Sequence, residues 1–314
     1  MRRTLRLLLA AAALAPLLRP ADAGAQARDR ERYRSRIDTT FAFGRGGYVD
    51  LTQLSGDVVV ETWDRPEVRV RAWAELGRIE SSFSANRVLL RMQPAERATT
   101  RRDRVGDSGY EVTVPAGVRV KVASISGDLR VTGTRAEVEA SSTSGDVAIA
   151  DGSGLTTIGT VSGDVTVLRL QGDLAVKTTS GDVDVRGADG EVRVSTVSGE
   201  VTLRQVGSRS VTAKTTSGDV TYEGDFARGG RYEFGTHSGD VWLVLPPGVS
   251  AEMSMQSFSG SMDTDFPVTL AAGARSATRP RTLEFAIGDG GARVRAETFS
   301  GDVVLRRSGR ERER

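Results

Sequence analysis

The heptapeptide KTTSGDV occupies residues 177–183 and recurs unchanged at residues 214–220, with the close variants TVSGDV at 160–165 and STVSGEV at 195–201 around it. Aligned on the glycine, the series Gly127, Gly145, Gly163, Gly181 and Gly199 advances in equal steps of eighteen. It then loosens through Gly218, Gly239 and Gly260 and returns at Gly301, while Gly56, in LSGDVVVETW, stands apart as an early outlier. A fainter copy lies midway, at Ala136-Glu137, Gly154, Gly172-Asp173 and Gly190-Glu191, so a nine-residue beat underlies the longer one.

After each glycine the chain alternates at period two, as in Val165 and Val167, Val183 and Val185, or Val201 and Leu203, which is the signature of short strands with one buried face. Three residues before the glycine stands a hydroxyl: Ser124, Ser142, Thr160, Thr178, Thr196, Thr215, Thr236, Ser257 and Thr298. Parity points this row inward with the apolar rows, where stacked hydroxyls are expected to share hydrogen bonds along the stack.

Two architectures make such a beat. In an antiparallel meander of nine-residue hairpins, residues 18 apart lie on next-nearest strands about 9.5 Å apart and do not touch. In a solenoid with one full turn per repeat they stack at about 4.8 Å, so like must pair with like. Identity at 18 therefore predicts an all-β parallel β-solenoid, with two short strands per coil and corners at Gly127, Gly145, Gly163, Gly181, Gly199, Gly218, Gly239 and Gly301. Serines just before these glycines suit local side-chain to backbone bonds that close a corner.

The ends read differently. Residues 1–27 open with Arg2 and Arg3, run apolar from Leu7 to Leu18 and finish in small residues, the make-up of a secretory signal cleaved near Ala27. Cleavage would take Arg2, Arg3, Arg6, Arg19 and Asp22 with it, so the formal charge of +2 and the pI near 9.1 belong largely to the signal. A near-neutral remainder lacks the footprint of a nucleic-acid binder or a polybasic membrane surface, and no other apolar run is long enough to span a bilayer. There is no cysteine, which excludes disulfides, thiolate metal sites and cysteine nucleophiles. Basic residues are nearly all arginine, with Lys121, Lys177 and Lys214 the exceptions.

Residues 28–123 are β-rich without an evident repeat and are expected to cap the raw strand edge of the array, continuous with it. Residues 124–305 form the repeat array, within which residues 263–282 read as a loop. Residues 306–314 form a charged, disordered tail.

This combination, an export signal, SGDVVVETWDRPEVRVRA at residues 55–72, recurring SGDV coils and a closing SGDVVL at 300–305, resembles the bacterial β-strand-repeat adhesin-like proteins, a family of unknown function that includes LiaG-like members. The resemblance covers about Ile37 to Leu305. It implies an extracytoplasmic β-repeat protein, periplasmic or at the cell surface, that acts as a non-enzymatic binding or structural module. It carries over no catalytic residue.

The residues themselves agree with a binding module. His237 is the single histidine and belongs to an outward row, two before each glycine, so it reads as a surface strand residue; no multi-histidine metal site can form. The corner acids Asp128, Asp146, Asp164, Asp182, Glu200, Asp219 and Asp240 form a column in which each adjacent exposed pair costs about 1 kcal/mol if uncompensated. Calcium would relieve the repulsion, but the additional glycines that let calcium-binding repeats wrap an ion are missing, and capping of the acids by backbone N–H groups is the expected arrangement. No cofactor is expected, since the glycine clusters at 43–48 and 287–294 precede no helix. The alternative, a polysaccharide-cleaving enzyme on the same scaffold, needs acids gathered in a groove, whereas these are spread one per coil. The most site-like feature is the aromatic end of the outward row, His237, Phe258 and Phe299, with Trp242 nearby. It either docks an envelope component, polysaccharide or protein, or packs under the 263–282 loop.

Overall fold

The computed structural model describes residues 35–94, 106–267, 269–270 and 281–309; the expected signal and the end of the charged tail lie outside the described residues. Every described element is a strand. They form a 13-stranded and a 14-stranded sheet that run the length of the molecule, and the chain passes from one to the other at each corner.

One coil shows the plan. Strand Thr156–Ser162 lies in the larger sheet, the chain turns at Gly163, strand Val165–Leu170 lies in the smaller sheet, and a second corner near Gly172 returns it. All neighbours are parallel in this part: Ile158 sits beside Val176, and Val165 beside Val183, a register of 18. The alternating residues Val165, Val167, Ile158, Leu174 and Val176 are buried between the sheets, and such burial stabilises by about 1.5–3 kcal/mol per large side chain.

The identity of the corner follows from backbone proximity. Gly181 has φ of +142°, and a Cβ there would lie 2.2 Å from the carbonyl oxygen of Gly163 in the coil below. Any side chain would both clash with unyielding backbone and strain the dihedral.

The hydroxyl row is buried as expected, and Gln53 joins it at the first coil. Its hydrogen bonds, however, do not run from hydroxyl to hydroxyl. Thr236, Thr298 and Ser257 donate to the carbonyls of Gly218, Gly239 and Gly301, at 2.9, 2.9 and 3.0 Å. In these coils the corner glycine offers its carbonyl to the hydroxyl of the neighbouring coil.

Three boundaries need correction. Gly56 is not an outlier but the first member of the glycine column: its coil, Tyr48–Gln53 and Val58–Trp63, pairs in parallel with the Gly127 coil on one side. On its other side it pairs with Arg87–Gln93 and Ser108–Pro115. Much of residues 28–123 is therefore solenoid, and the covering is supplied by antiparallel strands: Glu67–Ala74 on Ser108–Pro115, Ser35–Ala42 on Glu67–Ala74, and Arg78–Ser84 on Arg87–Gln93. Antiparallel additions end a parallel stack because they do not repeat its inward pattern in the same sense.

The far end mirrors this. The last coil, Ala292–Ser300 and Val303–Arg307, is inserted between the Gly239 coil and the earlier Gly260 coil rather than following it. The 263–282 stretch is not wholly loop: Met262–Thr264 joins the smaller sheet, and Thr269–Leu270 and Arg281–Ile287 add antiparallel to the larger one. Arg306 and Arg307, assigned to the tail from sequence, continue the final strand, and Arg306 pairs with Asp263 at 2.7 Å.

Candidate functional site

The outward row emerges on the larger sheet beside the glycine corners. At its C-terminal end the strand order is Arg231–Ser238, Ala292–Ser300, Ala251–Ser259, so chain insertion places Phe299 between His237 and Phe258. The three rings stack face to face: His237 on Phe299 at 4.7 Å and 12°, Phe299 on Phe258 at 4.6 Å and 6°. Those spacings are close to the strand spacing itself, so like rotamers on adjacent strands bring the rings into a parallel stack. Phe258 and Phe299 keep 39% and 47% of their surface exposed, while most of the 263–282 stretch that the alternative reading lays over them falls outside the described residues.

Trp242 does not join them. It lies past the corner in the smaller sheet, beside Thr221 and Val304, on the outward side of that sheet. Sequence proximity across a corner misleads because the outward direction reverses from one sheet to the other.

Sequence reasoning missed what lies next to the rings. Gly235 occupies an outward place between Lys214 and Glu297, and its missing side chain opens a notch of about 340 Å³. Gln256, Glu297, Lys214 and the two phenylalanines line it. Lys214 lies 3.5 Å from Glu233 and Arg295 2.8 Å from Glu297, so the charges at its edge are paired. A second groove, about 580 Å³, continues over the same strands across Arg231, Glu233, Glu252, Glu284, Arg293 and Arg295. There the Arg231 guanidinium, hydrogen-bonded to Glu233 at 2.9 Å and helped by Lys214, holds that carboxyl below the usual carboxylate range. The strand parity of AEMSMQS and ARVRAET, with polar or charged residues at every second place, was the available signal.

The acid column is a ladder of hydrogen bonds. Each of Asp57, Asp128, Asp146, Asp164 and Asp182 accepts, through Oδ1, the backbone N–H of the acid in the next coil at 2.8–3.1 Å. The ladder resumes with Asp219, Asp240 and Asp302, which accept from Asp240, Asp302 and Ser261. Glu200 turns aside, its longer side chain accepting from the Thr202 hydroxyl instead. Charge-assisted bonds of this kind offset the like-charge repulsion of about 1 kcal/mol per pair. Among the described residues no group of three or more histidine or acidic side chains is placed to hold a metal ion. No helix among them is long and apolar enough to cross a membrane.

The family model described as Toastrack DUF4097 matches residues 106–205 and again 172–306, together more than half of the chain. The protein belongs to that family of β-repeat proteins. Among solved structures, one described as a putative cell adhesion protein from Clostridium sporogenes aligns over 87% of this chain and 100% of its own, at 6% identity and a TM-score of 0.26; so slight a likeness says nothing about the function of this chain. No curated protein matches the sequence.

Proposed function

We propose that this protein is an extracytoplasmic, non-enzymatic, adhesin-like module that binds an envelope component, polysaccharide or protein, through the C-terminal outward face of its larger sheet. The observation that carries the reading is the exposed, parallel stack of His237, Phe299 and Phe258 beside the Gly235 notch. A soluble surface ordinarily scatters its apolar side chains singly, and a contiguous aromatic comb rimmed by polar groups marks an interaction site. The ring faces are spent on one another, so a ligand meets ring edges and the outer faces of the end rings, with Glu297, Gln256 and Lys214 available for hydrogen bonds. Export is supported by the pattern of residues 1–27. His237 is stacked on a phenylalanine ring, a place that suits contact rather than proton transfer.

The test is co-sedimentation of the purified chain with isolated cell envelopes. Phe258→Ser combined with Phe299→Ser is expected to reduce binding at least tenfold while leaving the thermal midpoint within a few degrees, because both rings are exposed. Full binding by the double variant would refute the assignment of the site. Release of new reducing ends from envelope polysaccharide would instead establish an enzyme.

A further inference from the structure

Seven large apolar side chains are exposed among the described residues, and five of them, Ile125, Val161, Val197, Phe299 and Phe258, fall in the one row two places before the corner glycine. Thr143, Thr179, Thr216 and His237 fill the places between, so the row from Leu54 to Phe258 contains no lysine, arginine, aspartate or glutamate, in a chain of which 27% is charged. The rows on either side are mostly small and neutral as well. Towards the corner they are the serines, and on the strand side Ala123, Ser141, Gly159, Ser195, Gly235 and Gln256, with Lys177, Lys214 and Glu297 as the intruding charges. A merely solvated sheet face alternates charges, as this same face does four places farther from the corner at Lys121 and Glu139.

From these observations we infer that the stripe is a pairing surface for a second copy of this chain. Its residues repeat at the strand spacing, about 4.8 Å, over nine steps, a rigid line about 43 Å long. A partner can interdigitate with such a line along its whole length only if it carries the same repeat. An extended peptide laid along the axis presents same-face residues about 6.7 Å apart and falls out of step within a few residues. A second solenoid has the matching repeat by construction, and two such β-branched faces close into a dry contact as paired sheets do. The band is about 10 Å wide, giving roughly 430 Å² of flat contact per copy, which is the low end for a specific interface and fits a reversible, micromolar dimer. The contact is isologous, the same stripe serving both copies. The pairing goes beyond the envelope binding proposed above and is tested independently of it.

Sedimentation of the purified chain from about 1 μM to about 0.5 mM should show a monomer–dimer equilibrium. Val161→Lys with Val197→Lys is expected to weaken dimerisation at least tenfold with an unchanged thermal midpoint, since both side chains already face solvent. Thr166→Lys, on the outward side of the other sheet, should leave it unaltered. Phe258→Ser with Phe299→Ser should reduce envelope binding at least tenfold and weaken dimerisation as well, whereas Val161→Lys with Val197→Lys should weaken dimerisation while leaving envelope binding at the wild-type level, which separates the two proposals. A wild-type chain that stays monomeric at the highest concentration would overturn the pairing, and so would a lysine variant that dimerises as well as wild type. Should wild type be monomeric and the lysine variant lose envelope binding, the stripe's occupant is an envelope polymer and the pairing is again overturned.

Discussion

The coils from Gly127 to Gly199 and those from Gly199 onward are built from the same motif, yet they solve the interior differently. In the first group successive corners stand eighteen places apart, the core is aliphatic, and the hydroxyls of Ser124, Ser142, Thr160 and Thr178 are buried without a hydrogen-bond partner among the described residues. In the second the spacing lengthens to nineteen and then twenty-one places, and Tyr222, Phe226, Tyr232 and Phe234 pack together in the wider cross-section at 4.5–6.0 Å between ring centres. Here the phenol of Tyr222 donates to the Asp225 carbonyl and that of Tyr232 to the Ser208 carbonyl, and the threonines reach the glycine carbonyls. Strict repetition thus fixes the stack but leaves polar atoms unpaired, whereas relaxed repetition pairs them and admits larger side chains. The exposed rings of the candidate site sit on the relaxed coils.

The sharpest way to break this comparison is at a corner. Gly181→Ala is expected to cost about 3 kcal/mol or more, since strain and a backbone clash add, whereas Gly159→Ala, with open space around its Cβ, should be neutral or slightly stabilising. Urea unfolding of the two variants decides it; equal effects would mean that the corners are not stacked.

The next effect distinguishes the halves by pH. Burial pushes the Tyr222 phenol well above its ordinary value near 10, and burial likewise raises that of Tyr232, while residues 119–204 contain no tyrosine. A raised folded value contributes stability that is full below the unfolded pKa and is lost as pH rises from about 10 towards the folded value. Amide exchange should therefore show the Gly218 and Gly239 coils opening before the Gly145 and Gly163 coils above pH 10, and Tyr222→Phe should reduce that difference.

A smaller effect has opposite signs in the two halves. Thr178→Val removes an unpaired buried hydroxyl and should stabilise by about 1 kcal/mol, whereas Thr236→Val removes a bonded one and leaves the Gly218 carbonyl short of a donor, costing about 1 kcal/mol. Thermal unfolding of both variants measures the contrast, and the same sign for both would dissolve it.

Much of this was legible in the residues. The identity of Lys177–Val183 with 214–220 demanded direct stacking, and parity set the inward hydroxyls and the outward aromatic row. The order of coils at the ends was not legible. The Gly239 and Gly301 corners are both Ser-Gly-Asp and the Gly260 corner differs in carrying Ser261 for the acid, a single change that does not by itself order the coils; the long-range fit of Ala292–Ser300 against Arg231–Ser238 does. Trp242 was misplaced because parity does not carry across a corner, and the Gly235 notch was hidden because a glycine in a glycine-rich repeat does not stand out.

The central claim is that residues 18 apart lie directly over one another. The chain has no cysteine, so Ala148→Cys with Thr221→Cys can be spin-labelled on the outward side of the smaller sheet, four coils apart and away from both proposed surfaces. Pulsed dipolar spectroscopy should return a separation of about 19 Å, four strand spacings. A separation of about 38 Å, as a nine-residue meander would give, would contradict the account.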